Sequence, residues 1–127
     1  MRIALDTNRY SDLDKGVPEV IQAVSGADEV FLPFIVLAEL HAGFRNGSRR
    51  TENERKLRRF LAEPGVGILY PSEKTVDVFA SLLVQLMRQG TPIPSHDTWI
   101  AALCIQHGLT LYARDQHFDH LPQLARI

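Results

Sequence analysis

Four carboxylates stand where a small α/β chain can bring them together: Asp6, Glu39, Asp97 and Asp115. Asp6 ends the apolar run RIALD at residues 2–6, which reads as a short buried strand. Asp115 follows residues 109–113, which read as another. Asp97 falls in the first turn of a helix expected from Ser95 to His107, and that helix leads directly into the later strand. If the two strands are parallel, their carboxyl ends share a rim. A right-handed crossover then starts the connecting helix on that same rim. Glu39 enters on different grounds. Its neighbours at helical spacing are Ile35, Val36, Ala42 and Gly43, so the sequence places it on an apolar face. An unpaired carboxylate buried there costs several kcal/mol, roughly, unless it is paired, protonated or bound to a cation.

Converging carboxylates imply a particular chemistry. Two like charges ~4 Å apart repel by about 4 kcal/mol at an effective dielectric near 20. Mg²⁺ or Mn²⁺ removes that repulsion and prefers hard oxygen ligands. A water on such an ion can act as the nucleophile for phosphodiester hydrolysis. Each acid also has a plainer reading. Asp6 can cap the following turn, Asp97 can serve the helix dipole, Asp115 can pair with Arg114, and Glu39 can pair with a buried arginine. A shared metal accounts for all four at once.

Other chemistries find less support. Asp119 reads as a solvated loop acid rather than a fifth carboxylate of the cluster. His96, His117 and His120 neighbour acids, but their spacing matches no HExxH-like zinc arrangement, so they read as hydrogen-bonded histidines. His41 reads as a core or dimer residue and Trp99 as packing. The chain carries no GxSxG motif, P-loop or Rossmann glycine fingerprint. With the single cysteine Cys104 there is neither an internal disulfide nor a cysteine-rich zinc site.

The elements that would position the acids alternate in type. Beyond the strand at 2–6, helical spacing of Val17, Val20, Ile21 and Val24 predicts a helix stopped by Gly26. Residues 29–32 read as a second strand. Residues 34–45 read as an apolar helix with Leu37, Leu40, His41 and Phe44 on one face. Thr51 and Glu54 have capping-box spacing and open a basic helix that ends at Pro64–Gly65. Residues 66–70 read as a third strand. Residues 72–89 read as a long helix with Val76, Phe79, Ala80, Leu83 and Met87 turned inward. Ser95 is the expected N-cap of the helix that Gly108 closes. Residues 109–113 are the fourth strand, and the tail near 124–127 is a candidate fifth. This alternation predicts one α/β domain over residues 1–127 with a largely parallel sheet covered on both faces. Ligands of such sheets bind beyond the carboxyl ends of the strands.

The 127 residues suit a single core, and the net charge of −1 advertises no global attraction to nucleic acid. The charge is uneven, though. Arg45, Arg49, Arg50, Arg55, Lys56, Arg58 and Arg59 make up half of the 14 Lys and Arg residues, a local patch able to contact phosphates. MRIALD does not read as a secretion signal, and no apolar run approaches the ~18 residues of a membrane span. A reducing cytoplasm is the expected location.

At these residues the chain resembles the PIN-domain nucleases, and within them the VapC-type toxins. The matching segments are LDTN at 5–8, VLAEL at 36–40, HDTWIAAL at 96–103 and LYARDQHFDHLPQL at 111–124. The resemblance spans essentially the whole chain. It implies a three-layer α/β/α sandwich with a mainly parallel four- or five-stranded sheet. It also implies Mg²⁺- or Mn²⁺-dependent endoribonucleolysis, often of tRNA or rRNA. By position, Asp6, Glu39, Asp97 and Asp115 would be the acidic quartet that binds metal and performs catalysis, with Glu39 acting directly or through water. Thr7 and Asn8 would supply supporting hydrogen bonds. The implied partners are RNA, a second copy of the chain and an antitoxin. His96 stands where many relatives carry Asn. Ala113 and Arg114 stand where many carry a hydroxyl near the fourth acid. The rivals are a phosphatase with Asp6 as nucleophile, disfavoured because Asn8 replaces the usual second Asp, and a catalytically degenerate module that only binds a partner.

Overall fold

The structure is a computed structural model describing residues Met1–Ile127. Its frame is a sheet of four parallel strands in the order β3-β2-β1-β4. These are β1 (Arg2–Leu5), β2 (Glu29–Pro33), β3 (Val66–Leu69) and β4 (Thr110–Tyr112). Central β1 pairs Ile3 with Val30 on one side and with Thr110 on the other. Ile3, Ala4 and Leu5 are buried, as expected of a strand covered on both faces. Six helices flank the sheet in an α/β/α arrangement: α1 (Thr7–Asp14), α2 (Pro18–Gly26), α3 (Phe34–Arg45), α4 (Arg50–Leu61), α5 (Glu73–Gln89) and α6 (Ser95–His107). The expected fifth strand shrinks to one parallel bridge between Leu111 and Arg126. The tail is pinned there by the Leu111 N–H donating to Ala125 O and the Ile127 N–H donating to Leu111 O.

Helix α6 carries much of the core. Ile100, Ala101, Ala102, Leu103 and Cys104 are all buried. Its small residues admit close packing against α5, α3 and β4. Gly108 ends it in a left-handed conformation (φ 64°), which only glycine adopts without a Cβ penalty. Burial pushes the Cys104 thiol up to about 12, so it stays protonated and inert.

Several local expectations are corrected. Helix α1 has no apolar periodicity to announce it: its sequence is TNRYSDLD, and only Tyr10 and Asp12 are buried. Ser95 is the first residue of α6 rather than its cap, which is Pro94. In α4 the Thr51–Glu54 capping box does not form, because the N-cap is Arg49, two residues before Thr51, and Glu54 pairs with Arg50 at 2.8 Å. Helix α5 is rotated from the expected face. Thr75, Leu82 and Leu86 are buried, with Val78 and Phe79 packed against the core, whereas Val76, Leu83, Val84 and Met87 are exposed. Both sides of α5 are apolar, so periodicity alone does not choose between them. The inward choice is fixed partly by Thr75, whose hydroxyl engages the Gln106 side chain and accepts from the Ser72 N–H.

Candidate active site

The first acid is placed by the junction of β1 and α1. Asp6 is the N-cap of α1, and its Oδ1 accepts from the Arg9 N–H at 2.8 Å. The capping role and the cluster role are therefore not alternatives, since one oxygen caps and the carboxylate still lines the cavity. Asp115 is placed in the same way, as the N-cap of a 3-10 turn at Gln116–His120, accepting from the His117 N–H at 2.9 Å. Asp97 lies in the first turn of α6 and is 5% exposed, so the helix dipole supports a charge that burial opposes.

These residues meet at the carboxyl rim of the sheet. A cavity of about 140 Å³ is lined by Asp6, Thr7, Asn8, Glu39, His96, Asp97, Ile100 and Asp115. Ile100 is its only apolar wall. Wider clefts elsewhere, such as the one of about 490 Å³ under α2 and β3, are lined mainly by apolar groups and hold none of the four acids.

Glu39 reaches the cavity differently from the expectation. It is exposed, as are Ala38, Ala42 and Gly43 beside it. Of the apolar neighbours assigned to it, Val36 is buried and Ile35 half-buried, but Ala42 and Gly43 face solvent and Glu39 with them, so the burial argument for this residue does not hold. The fully buried residues of α3 are Val36 and Leu40, with Phe34, Ile35, Leu37 and Phe44 packed beside them. Glu39 stands at the open side of the cavity, where solvent reaches it.

The carboxylates sense one another. Burial holds the Asp6 carboxyl above its ordinary range. The Arg9 N–H and guanidinium oppose this, Asp115 reinforces it, and Arg114 opposes it more weakly. His117 joins the group: its Nδ1 lies 2.8 Å from Asp97 Oδ2 and 3.1 Å from Asp115 Oδ1. Ligand atoms of Asp97, Asp115 and His117 all fall within 4.8 Å of one another, a spacing one metal ion can bridge. His96 Nε2 lies 3.4 Å from Asp97 Oδ1. The Thr7 hydroxyl is buried and has no hydrogen-bond partner within the protein. An oxygen-rich cavity with an orphan hydroxyl fits a hard divalent cation.

Other singled-out residues lie elsewhere. Asp119 pairs with Arg126 and does not line the cavity. Arg114 pairs with Asp12 at 3.1 Å rather than with Asp115. Trp99 stacks on Phe79 with ring centroids 4.1 Å apart, a packing role. His117 was missed as a site residue, and buried Asp12, which lies outside the cavity, was missed as the partner of Arg9 and Arg114. The signal for Asp12 was its spacing of three from Arg9, legible only once a helix at 7–14 is recognised.

A parallel sheet with acids gathered at its carboxyl rim defines the class, and residues 3–124 match the PIN domain model. The chain belongs to the PIN-domain family. Within it, the chain is 35% identical over 113 residues to Ribonuclease VapC1 of Haemophilus influenzae, covering 86% of this chain and 80% of that one. It is 30% identical over 121 residues to VapC ribonuclease Y4jK of Sinorhizobium fredii, covering 89% and 86%. Among solved structures, VapBC2 of Rickettsia felis, bound to a DNA fragment from its promoter, superposes with a TM-score of 0.88 at 25% identity, covering 100% of this chain and 98% of that one. VapBC-1 of nontypeable Haemophilus influenzae superposes with a TM-score of 0.87 at 27% identity, covering 100% and 97%.

Proposed function

We propose that this chain is a Mg²⁺- or Mn²⁺-dependent endoribonuclease and the toxin of a toxin–antitoxin pair. The observation that carries the reading is the cavity itself, where Asp6, Glu39, Asp97 and Asp115 gather around an orphan Thr7 hydroxyl. The ribonuclease names of its relatives support the reaction class. The VapBC complexes among its structural neighbours support an antitoxin partner.

In this reading Asp6, Asp97 and Asp115 hold the ion, with Glu39 joining directly or through water. When bound, the ion supplies an acidified water at neutral pH and compensates charge on the phosphate. The remaining work falls to the chain. Glu39, at the open side, orients the attacking water and accepts its proton. The backbone N–H groups of Arg9 and His117 fix the Asp6 and Asp115 carboxylates, and the His117 ring steadies Asp97 and Asp115. Thr7 and Asn8 add hydrogen bonds at the wall. Water adds to phosphorus as its proton passes to Glu39, the opposite bridging P–O bond breaks, and the leaving oxygen takes a proton from solvent at the open side. Basic residues of the 45–59 segment, exposed along α4, engage the RNA backbone of a structured substrate such as tRNA or rRNA.

A second copy of the chain is the proposed partner of the exposed stripe Val76, Leu83, Val84 and Met87 on α5, an apolar face that a monomer would leave in water. The cytoplasm is the proposed location. Neither the phosphatase nor the degenerate-module reading has an observation in its favour, and the relatives' names point away from both.

The test is direct. Protein purified free of any antitoxin is incubated with RNA and Mn²⁺ or Mg²⁺. Cleavage that disappears with EDTA and in Asp97→Asn is the expected result. Metal-independent cleavage, or none under any of these conditions, overturns the reading.

A further inference from the structure

An acidic cavity must receive a polyanion, so the cations beside it matter. Two guanidiniums attract the Asp6 carboxylate from outside the cavity lining, and each belongs to a residue tied to a cavity acid. Arg9 donates its backbone N–H to Asp6, and Arg114 directly precedes Asp115. Both are gripped by one carboxylate. Asp12 Oδ2 accepts from Arg9 at 3.3 Å and Asp12 Oδ1 from Arg114 at 3.1 Å. Asp12 is 8% exposed, the one buried charged residue of α1, where Tyr10 is the other buried side chain.

This triad is poorly explained as a staple. A buried ion pair gives little net stability over an apolar replacement, because desolvation offsets the attraction. The arrangement instead fixes geometry. The Arg9 guanidinium lies over the Tyr112 ring, 4.4 Å from its centroid, which limits its swing. Arg114 keeps a side chain that is 55% exposed, and only one of its five N–H donors is engaged, by Asp12. Two arginines on one aspartate leave a net positive charge next to the acids.

We propose that Asp12 is a positioning residue that holds Arg9 and Arg114 as a clamp for a backbone phosphate of the RNA strand entering the acidic cavity. The proposal rests on the ribonuclease reading. Arg114 makes the contact through its free guanidinium edge. Arg9, more enclosed, adds charge and orders the shared carboxylate. Asp12 never touches RNA.

The test separates the clamp from the cleavage reading by measuring binding in a non-cleaving background. End-labelled bulk tRNA is titrated with Asp97→Asn protein, alone and combined with Arg114→Ala, Arg114→Lys or Asp12→Asn, across a salt series. Thermal melting confirms that each variant is folded. Arg114→Ala should weaken binding about tenfold at low salt and flatten the slope of log affinity against log salt by about 0.7, the loss of one phosphate contact to single-stranded RNA. Arg114→Lys should keep the slope while losing part of the affinity, because charge remains and the planar fork does not. Asp12→Asn should likewise keep the slope and weaken binding. A staple with no RNA role predicts changes in melting temperature alone, with equal affinity and slope in every variant, and that result overturns the clamp. So does the absence of any RNA binding. Should Asp12→Asn not fold, the two Arg114 variants decide the matter. Failure of the ribonuclease reading shows separately, as intact RNA in the metal-dependent cleavage assay.

Discussion

Replacing Asp6 by Asn should stabilise the protein without metal and destabilise it, relative to wild type, with metal. Asn caps helices about as well as Asp, so the bond from the Arg9 N–H survives the change. What is removed is a buried charge. Burial of the Asp6 carboxylate and the nearby Asp115 oppose that charge, while Arg9 and Arg114 favour it, and the carboxyl ends above its ordinary value. Burial and the nearby Asp115 outweigh the attraction of Arg9 and Arg114, so the charge carries a net cost that Asn does not. At about 2.1 cal/mol/K of unfolding entropy per residue, each ~1 kcal/mol of relief raises Tm by about 4 °C for a chain of this length. The pH dependence has a definite sign. The folded protein holds this proton more tightly than the unfolded chain does, so the cost of Asp6 is present above its raised folded value. It fades as pH falls towards the unfolded value near 4, roughly. The advantage of Asn is therefore full at pH 8 and shrinks on acidification. Metal reverses the order. An ion at about 100 times its Kd adds about 2.7 kcal/mol to wild type, roughly 10 °C, and much less to a variant lacking one ligand. Differential scanning fluorimetry with EDTA or Mn²⁺ should show the two melting curves exchange rank. A variant that melts below wild type in EDTA, or one that gains as much from Mn²⁺, would refute the electrostatic account of the cavity.

Two other expectations concern regions outside the cavity. Leu83→Glu, on the exposed α5 stripe, should convert a dimer to a folded monomer in light scattering at micromolar concentration; a monomeric wild type or an unaffected dimer counts against the proposed second copy. Cys104, fully buried with its thiol pushed up to about 12, should resist a thiol-specific reagent at pH 8 and react promptly after denaturation; rapid labelling of the folded protein would contradict its packing.

The sequence conveyed the frame better than the faces. Apolar runs bounded by acids, prolines and glycines located all four strands, because buried parallel strands leave little room for polar residues. Gly90 and Gly108 marked two helix ends for a stereochemical reason, and both adopt positive φ. Helix α1 was hidden, since its order comes from the Asp6 cap and buried Asp12 rather than from an apolar stripe. The faces of α3 and α5 were ambiguous because each helix is apolar on more than one side. Glu39 shows the hazard: its small neighbours signalled burial, yet they border solvent. For Asp6, Asp97 and Asp115 topology was a sounder guide, as a strand end or a crossover start has a position that side-chain composition does not alter. The contacts of His117 and Arg114 were not legible, because they depend on side-chain directions around a short 3-10 turn.

The strand order has a temporal consequence. β1 is the first element of this chain, but one of its two neighbours, β4, begins more than a hundred residues later. Ribosomes release chains from the amino end, so β1 and β2 emerge long before β4 can close the sheet. A nascent chain ending before Ser95 carries Asp6 and Glu39 but neither Asp97 nor Asp115, and its central strand has a bare edge. The cavity is complete only once residues 95–115 have joined the sheet, so whatever the site does waits for them.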